Sequence, residues 1–205
     1  MRQSISPRCA ALLTLGFVLS QPAMAGTVDE DPHAKHKAMM SSTASAPSES
    51  AHYALPDVTM LDQHGEAAGV QSLFDTDRPV MVNFIFTTCT AICPMMTSIF
   101  QQVQERLGDD AARVLMVSVS IDPEADSPAA LKEYAEQFRA GEQWVFLTGS
   151  LEDSIAIQEG FEAYRGDKMN HAPLTLLRPA GSHEWTRFDG FATAAQLEQA
   201  LRESL

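Results

Sequence analysis

The sequence predicts a single α/β domain of about 150 residues, preceded by a leader that is not part of the fold. Apolar segments of strand length alternate with amphipathic helical segments over residues 80–164, and two further strand segments follow. Such alternation indicates βαβ units with parallel pairing, and the two late strands indicate an antiparallel hairpin. We therefore expect a central mixed sheet flanked by helices, with a β-hairpin at the N-terminal start of the domain.

The first 25 residues are typical of a secretory signal peptide. Arg2 and Arg8 give a positive start, an apolar run follows, and the small residues Ala23 and Ala25 suit cleavage after Ala25. The apolar run is much shorter than the roughly 20 residues of a membrane anchor, so cleavage is favoured over an uncleaved anchor. We therefore predict an exported protein, located in the periplasm or an equivalent compartment.

Residues 26–51 are rich in Ser, Ala, Pro, Lys and His and show no hydrophobic period. This composition predicts a flexible linker, with the folded domain covering residues 52–205. Histidine and methionine are both copper-type ligands, which leaves open a metal-capturing segment or a plain polar tether. The clustered ligand types in the linker are His33, His36, Met39 and Met40.

The chain is strongly acidic, with a formal net charge of −13. An acidic surface argues against nucleic acid or anionic lipid as a partner. It suits a protein that meets cations or a basic face of another protein. Solubility alone explains the charge equally well.

The first half of the domain is predicted to contain a hairpin, a buried strand and a helix. Residues 58–61 and a second short segment flank a turn with Gly65, which predicts the hairpin. Residues 80–86 form a largely apolar run, as in a strand buried on both faces. Residues 94–107 place apolar side chains on one helical face, and Gly108 follows as the helix end.

The second half repeats the alternation of strands and helices. Ser127 followed by Pro128 predicts a helix start, because serine caps a helix and proline suits its first turn. Thr193 predicts the start of the last helix in the same way. The remaining predicted elements are strands at residues 114–121, 144–147, 174–177 and 185–188 and a helix at residues 151–164.

Cys89 and Cys93 are the two cysteines that remain once the leader, with Cys9, is removed. They lie between a predicted buried strand and a helix, where α/β sheets place their functional sites. Pro94 suits the first helical turn, so Cys93 is expected at the helix N-terminus, where unpaired N–H groups favour a thiolate. A disulfide that closes so short a loop stabilises little, so the pair is predicted to be chemical rather than structural.

A thiolate pair is compatible with two kinds of chemistry. Thiolates are the nucleophiles of disulfide exchange and also the ligands of soft metal ions. Three residues separate the cysteines, one more than in thioredoxin-type redox motifs, so both sulfurs can face one ion. Such an ion needs a further donor, and only His171, among the histidines outside the N-terminal tail and the predicted hairpin turns, stands before a predicted strand. Taken alone, His171 is more typical of an ordinary loop histidine.

Asp122 and the methionines Met95 and Met96 each have two possible roles. Asp122 follows a predicted strand, which suits either a group that approaches the site or a turn formed with Pro123. Met95 and Met96 carry thioethers that can bind copper. Their place in an amphipathic helix favours core packing for both.

Residues 84–96, FIFTTCTAICPMM, closely resemble the signature of the Sco/SenC family. Residues 117–128, VSVSIDPEADSP, resemble a second motif of the same family. The resemblance covers residues 55–205 and implies a thioredoxin-like fold. It also implies a copper ion, Cu(I) or Cu(II), bound by Cys89, Cys93 and His171.

The resemblance implies an exported metallochaperone that delivers copper to the binuclear copper site of cytochrome c oxidase. Its partners would be the oxidase subunit that carries this site and another periplasmic copper chaperone. The alternative is a thiol–disulfide oxidoreductase, in which Cys89 and Cys93 reduce the cysteines of that site or of other periplasmic copper proteins. Asn170 stands where the family often has an aspartate before its histidine, which increases the weight of the redox alternative.

Overall fold

The computed structural model describes residues 46–205. The predicted leader and most of the predicted linker, with its histidines and methionines, lie outside the described residues. Two 3₁₀ segments, Gly108–Arg113 and Lys168–Asn170, accompany the main elements. These elements are β1 (Ser48–Ala51), β2 (Thr59–Leu61), β3 (Ala67–Gly69), α1 (Val70–Phe74), β4 (Val80–Ile85), α2 (Ile92–Leu107), β5 (Leu115–Ser120), α3 (Pro128–Gln137), β6 (Trp144–Leu147), α4 (Leu151–Gly160), β7 (Leu174–Arg178), β8 (Trp185–Asp189) and α5 (Ala194–Arg202).

Six strands form one mixed sheet in the order β1-β8-β7-β4-β5-β6. β4, β5 and β6 pair in parallel, whereas β7 pairs antiparallel with both β4 and β8. Every residue of β4 and β5 is buried, in agreement with their mostly apolar composition. The predicted mixed sheet is confirmed. The predicted N-terminal hairpin is β2–β3, a separate two-stranded sheet with Gly65 at a φ of 83° in its turn.

β1 corrects the predicted domain boundary. Ser48–Ala51 pairs antiparallel with β8, and the Gln196 side chain both accepts from the Ala46 N–H at 3.1 Å and donates to its carbonyl at 3.0 Å. The prediction of a linker up to residue 51 is therefore wrong for residues 46–51. These polar residues lack the alternation of a strand, so pairing with β8, rather than local propensity, makes them one.

The helix boundaries follow the predicted caps. The Ser127 hydroxyl accepts from the N–H of Ala130 at 3.2 Å, and the Thr193 hydroxyl accepts from Gln196 at 3.2 Å. α4 ends at Gly160, four residues before the predicted residue 164. Among the described residues, no helix is long and apolar enough to cross a membrane.

α2 buries a slightly different face from the predicted one. Met96, Phe100 and Val103 are buried, whereas Met95 and Ile99 are half-buried. Core packing is therefore confirmed for Met96 and holds only in part for Met95. The buried face of α2 is rotated about the helix axis relative to the predicted face, because Cys93, in the first turn, also points into the core.

Three strand ends meet at one edge of the sheet. β4 and β7 are antiparallel, with Asn83 opposite Thr175, so the chain after β4 and the chain before β7 leave the sheet at the same edge. β5 ends at this edge as well, because it runs parallel to β4. The segments that carry Cys89, Asp122 and His171 therefore emerge together.

Candidate functional site

Cys89 lies in the loop after β4, and Cys93 lies in the first turn of α2, as predicted. Both are free thiols; Cys93 is fully buried and Cys89 is half-buried. The Cys89 N–H donates to the Phe86 carbonyl at 3.1 Å, which closes the turn that follows β4. The Cys93 N–H lies 3.5 Å from the Cys89 sulfur, so the half-exposed thiol faces the N-terminus of the helix.

The two thiols differ in their electrostatic surroundings. Burial by itself raises the pKa of Cys89, but N–H groups at the start of α2 and the Cys93 thiol donate to its sulfur and hold the pKa below its usual value. Deep burial raises the pKa of Cys93 strongly; contact with the Phe86 backbone opposes this only in part, and the charges of Cys89 and Asp126 add to it. Cys89 is therefore the more reactive thiolate, and Cys93 holds its proton more firmly.

A buried carboxylate anchors the cysteine loop. Asp126 is fully buried and accepts hydrogen bonds from the Thr87 N–H at 3.1 Å, the Thr87 hydroxyl at 2.6 Å and the Ser120 hydroxyl at 2.6 Å. These bonds tie the start of the cysteine loop to the end of β5. Sequence reasoning noted Asp126 only within a family motif; its one local signal was its place just before the helix cap Ser127.

The first turn of α2 has a second buried polar support. The Thr97 hydroxyl donates to the Cys93 carbonyl at 2.9 Å and lies 2.9 Å from the Tyr134 hydroxyl of α3. Burial raises the pKa of Tyr134, so its phenol stays neutral. This support was also missed by sequence reasoning, because Thr97 and Tyr134 occur in ordinary helical patterns.

His171 directly follows the 3₁₀ segment Lys168–Asn170 and precedes β7. Its Nε2 atom is buried and has no hydrogen-bond partner among residues 46–205. Burial lowers the pKa of the imidazole, the Phe84 backbone opposes this only in part, and the charge of Arg165 lowers it further. The ring is therefore neutral near pH 7, which is the state in which imidazole binds metal ions.

The structure brings the two cysteines together but does not group them with the histidine. Within residues 46–205, no three His, Cys, Asp or Glu side chains are close enough to hold a metal ion. His171 instead lines a cavity of about 300 Å³ beside Asp122 and Lys168. The donor types still fit copper, because two sulfurs and an imidazole nitrogen are ligands that copper prefers.

Asp122 forms the predicted turn, and it also lines the cavity beside His171. Its carbonyl accepts from the Asp126 N–H at 2.9 Å and closes a turn after β5. Its carboxylate forms an ion pair with Lys168, three residues before His171. The Lys168 ammonium also lies over the Phe86 ring, 5.7 Å from its centre.

A mixed sheet whose central parallel strand leads to a dithiol at a helix N-terminus defines a thioredoxin-like dithiol protein. The sequence profile of the SCO1/SenC family matches residues 47–205. The chain therefore belongs to the SCO1/SenC family, which confirms the resemblance of its two motifs.

Individual relatives agree with this placement. The SCO1 protein homolog of Bacillus subtilis is 33% identical over 105 residues, which cover 51% of this chain and 53% of that relative. The match therefore spans about half the length of that relative.

Solved structures confirm the thioredoxin-like fold. ScoI of Bradyrhizobium japonicum, solved with copper bound, superimposes with a TM-score of 0.61 at 23% identity, covering 79% of this chain and 100% of that chain. BsSco, described as having a disulfide switch and as a member of the Sco family of cytochrome c oxidase assembly proteins, superimposes with a TM-score of 0.64 at 25% identity. That superposition covers 76% of this chain and 95% of BsSco.

Proposed function

We propose that this chain is a copper-binding metallochaperone that delivers copper to the binuclear copper site of cytochrome c oxidase, with Cys89, Cys93 and His171 as ligands. The observation that carries the proposal is the buried Nε2 atom of His171, which has no hydrogen-bond partner in the described part of the chain. Its segment leaves the sheet at the edge where the two thiols lie. A buried polar atom without a partner costs about 1–3 kcal/mol, and a role as metal ligand accounts for that cost.

The protonation states of the three donors support this assignment. The lowered pKa of Cys89 favours the thiolate that binds a cation, and the imidazole of His171 is neutral, which is the form that binds a metal ion. Cys93 has a raised pKa and must release its proton on binding. Copper binding should therefore release protons and weaken as the pH falls. Copper is also bound in the Bradyrhizobium japonicum relative.

A copper titration of the reduced protein against a competing chelator tests the proposal. We expect one tightly bound copper ion, and we expect His171→Ala to lower the affinity by about 100-fold or more, since even groups that only orient a ligand contribute about 10–100-fold. His183→Ala, which removes an exposed histidine before β8, is the matched control and should bind like the wild type. A His171→Ala protein with full affinity would overturn the ligand assignment.

A second function, thiol–disulfide oxidoreductase, is favoured by the unequal thiols. Cys89 has the lowered pKa of an attacking thiolate, while Cys93 is a second thiol that resolves the mixed disulfide once it has given up its proton. In this reaction the Cys89–Cys93 dithiol becomes a disulfide, and two electrons and two protons pass to the partner's disulfide. The partner would be the oxidase subunit or another periplasmic copper protein.

His171→Ala separates the two functions. Disulfide exchange needs the thiols, and the histidine affects it only through their pKa values, so the rate with a model disulfide should stay within about tenfold. In an oxidase assembly assay, the variant should fail if copper is the cargo and largely succeed if electrons are.

We also propose export to the periplasm, with the signal peptide cleaved after Ala25. The basis is the sequence of residues 1–25, which lie outside the described part of the chain. N-terminal sequencing of the mature protein tests it, and a first residue of Gly26 is the expected result.

A further inference from the structure

The segment that carries His171 has little core of its own. Residues 165–170 are all exposed, and their only regular structure is the 3₁₀ segment Lys168–Asn170. The Asp167 carboxylate accepts from the Met169 N–H at 2.8 Å, a contact within the segment itself. The position of the segment relative to the cysteine loop therefore depends on contacts with other parts of the chain.

Lys168 makes those contacts. Its ammonium is paired with Asp122 and lies over the Phe86 ring. The Asp122 side chain is 8% exposed, whereas that of Lys168 is 40% exposed. A carboxylate that is so deeply buried is costly unless it is paired, so Asp122 favours the conformation in which Lys168 reaches it.

The Lys168 contacts connect the two halves of the candidate site. The Lys168 carbonyl accepts from the His171 N–H at 3.2 Å, so the backbone of Lys168 helps to set the position of the histidine. In the cysteine loop, the Phe86 carbonyl accepts a hydrogen bond from the Cys89 N–H at 3.1 Å. Lys168 thus touches the residue that begins the cysteine turn while its own backbone holds the histidine.

We propose that Lys168, paired with Asp122, is a positioning residue that latches the His171 segment against the cysteine loop and so sets the affinity for copper. The inference rests on the proposed function, because it concerns how the third ligand of that site is placed. The latch acts through His171 and makes no contact with the metal ion itself.

Three substitutions of lysine test the latch by copper titration of the reduced protein. Lys168→Met keeps an unbranched side chain against Phe86 but removes the charge, and it should lower copper affinity about tenfold, the low end for groups that orient a ligand. Lys168→Arg keeps the charge and should restore affinity to within about threefold of the wild type. Lys132→Met, at an exposed lysine of α3, is the matched control and should have no effect.

The same substitution in a His171→Ala background separates a latch from a general effect of charge. If Lys168 acts through His171, Lys168→Met should cause no further loss in that background. An equal tenfold loss in both backgrounds would show that Lys168 acts on the cysteines instead and would overturn the proposal.

Amide hydrogen exchange of the metal-free protein gives a readout that does not involve copper. Lys168→Met should speed exchange at residues 165–171 and leave α2 unchanged, whereas Lys132→Met should change neither. A wild type that binds no copper would refute the proposed function, while the exchange rates would still decide whether the latch exists. Unchanged exchange together with unchanged copper affinity in Lys168→Met would refute the latch alone.

Discussion

The cysteine loop and the His171 segment leave the sheet at the same edge, but they are held in very different ways. The cysteine loop follows the fully buried β4, continues into α2 and is anchored by the buried carboxylate of Asp126. The His171 segment is exposed over residues 165–170, and the ion pair of Lys168 with Asp122 joins it to the rest of the site.

The difference indicates how the proposed copper site is divided between a fixed part and an adjustable part. Regions with many buried contacts open at the cost of global unfolding, whereas exposed segments open at a much lower cost. We therefore expect the thiols to provide the fixed part of the proposed site and His171 to provide the part that adjusts when copper binds. Each prediction below tests one side of this division.

The largest effect is expected from removing a thiol. Cys89→Ala or Cys93→Ala should abolish tight copper binding, because one thiolate and one imidazole are too few strong donors. The measurement is a copper titration against a chelator, with Thr90→Ala, at an exposed residue of the same loop, as the control. Full affinity in either cysteine variant would remove the proposed site.

The buried anchor should matter for stability. Asp126→Ala leaves the Thr87 N–H and the hydroxyls of Thr87 and Ser120 without their acceptor, so we expect a loss of about 2–4 kcal/mol in the free energy of unfolding. Denaturant unfolding measures it, and Glu124→Ala, at an exposed acid of the same turn, should change little. If the two variants are equally stable, the cysteine loop is not anchored as described.

Removing β1, which belongs to the part of the sheet next to the His171 segment, should have a smaller effect on the free energy of unfolding. β1 pairs with β8, β8 pairs with β7, and β7 begins shortly after His171. A chain that starts at Tyr53 should be about 1–3 kcal/mol less stable than one that starts at Ala46, because a few backbone hydrogen bonds are lost. Equal stability of the two chains would show that β1 contributes nothing to the sheet.

The smallest expected effect is a difference in reactivity between the two thiols. The pKa of Cys89 is lowered, so its thiolate is already present below the pH at which an ordinary cysteine ionises; the pKa of Cys93 is raised, so it stays protonated there. Limiting iodoacetamide at pH 7 should therefore modify Cys89 at least about tenfold faster, as measured by peptide mass spectrometry. In denaturant the two rates should become equal. Faster modification of Cys93 in the folded protein would contradict the arrangement.

Local sequence patterns predicted the elements that bury a periodic or continuous apolar surface. β4 and β5 are mostly apolar, and the caps Ser127 and Thr193 mark helix starts by hydrogen bonds to nearby backbone. β1 was missed because its polar residues become a strand only through β8. The buried face of α2 was predicted imperfectly because Cys93 shares that face.

The sequence by itself determined the α/β class, the family motifs and the dithiol at a helix N-terminus, because each depends on residues that are near one another along the chain. Only the tertiary structure decided how the site is supported. Asp126 reaches Thr87 across 39 positions, and Lys168 reaches Asp122 across 46. A local pattern reports burial and capping, but it contains no information about which distant polar group will satisfy a buried carboxylate. That pairing is set by the order and direction of the strands, which bring three separate loops to one edge of the sheet.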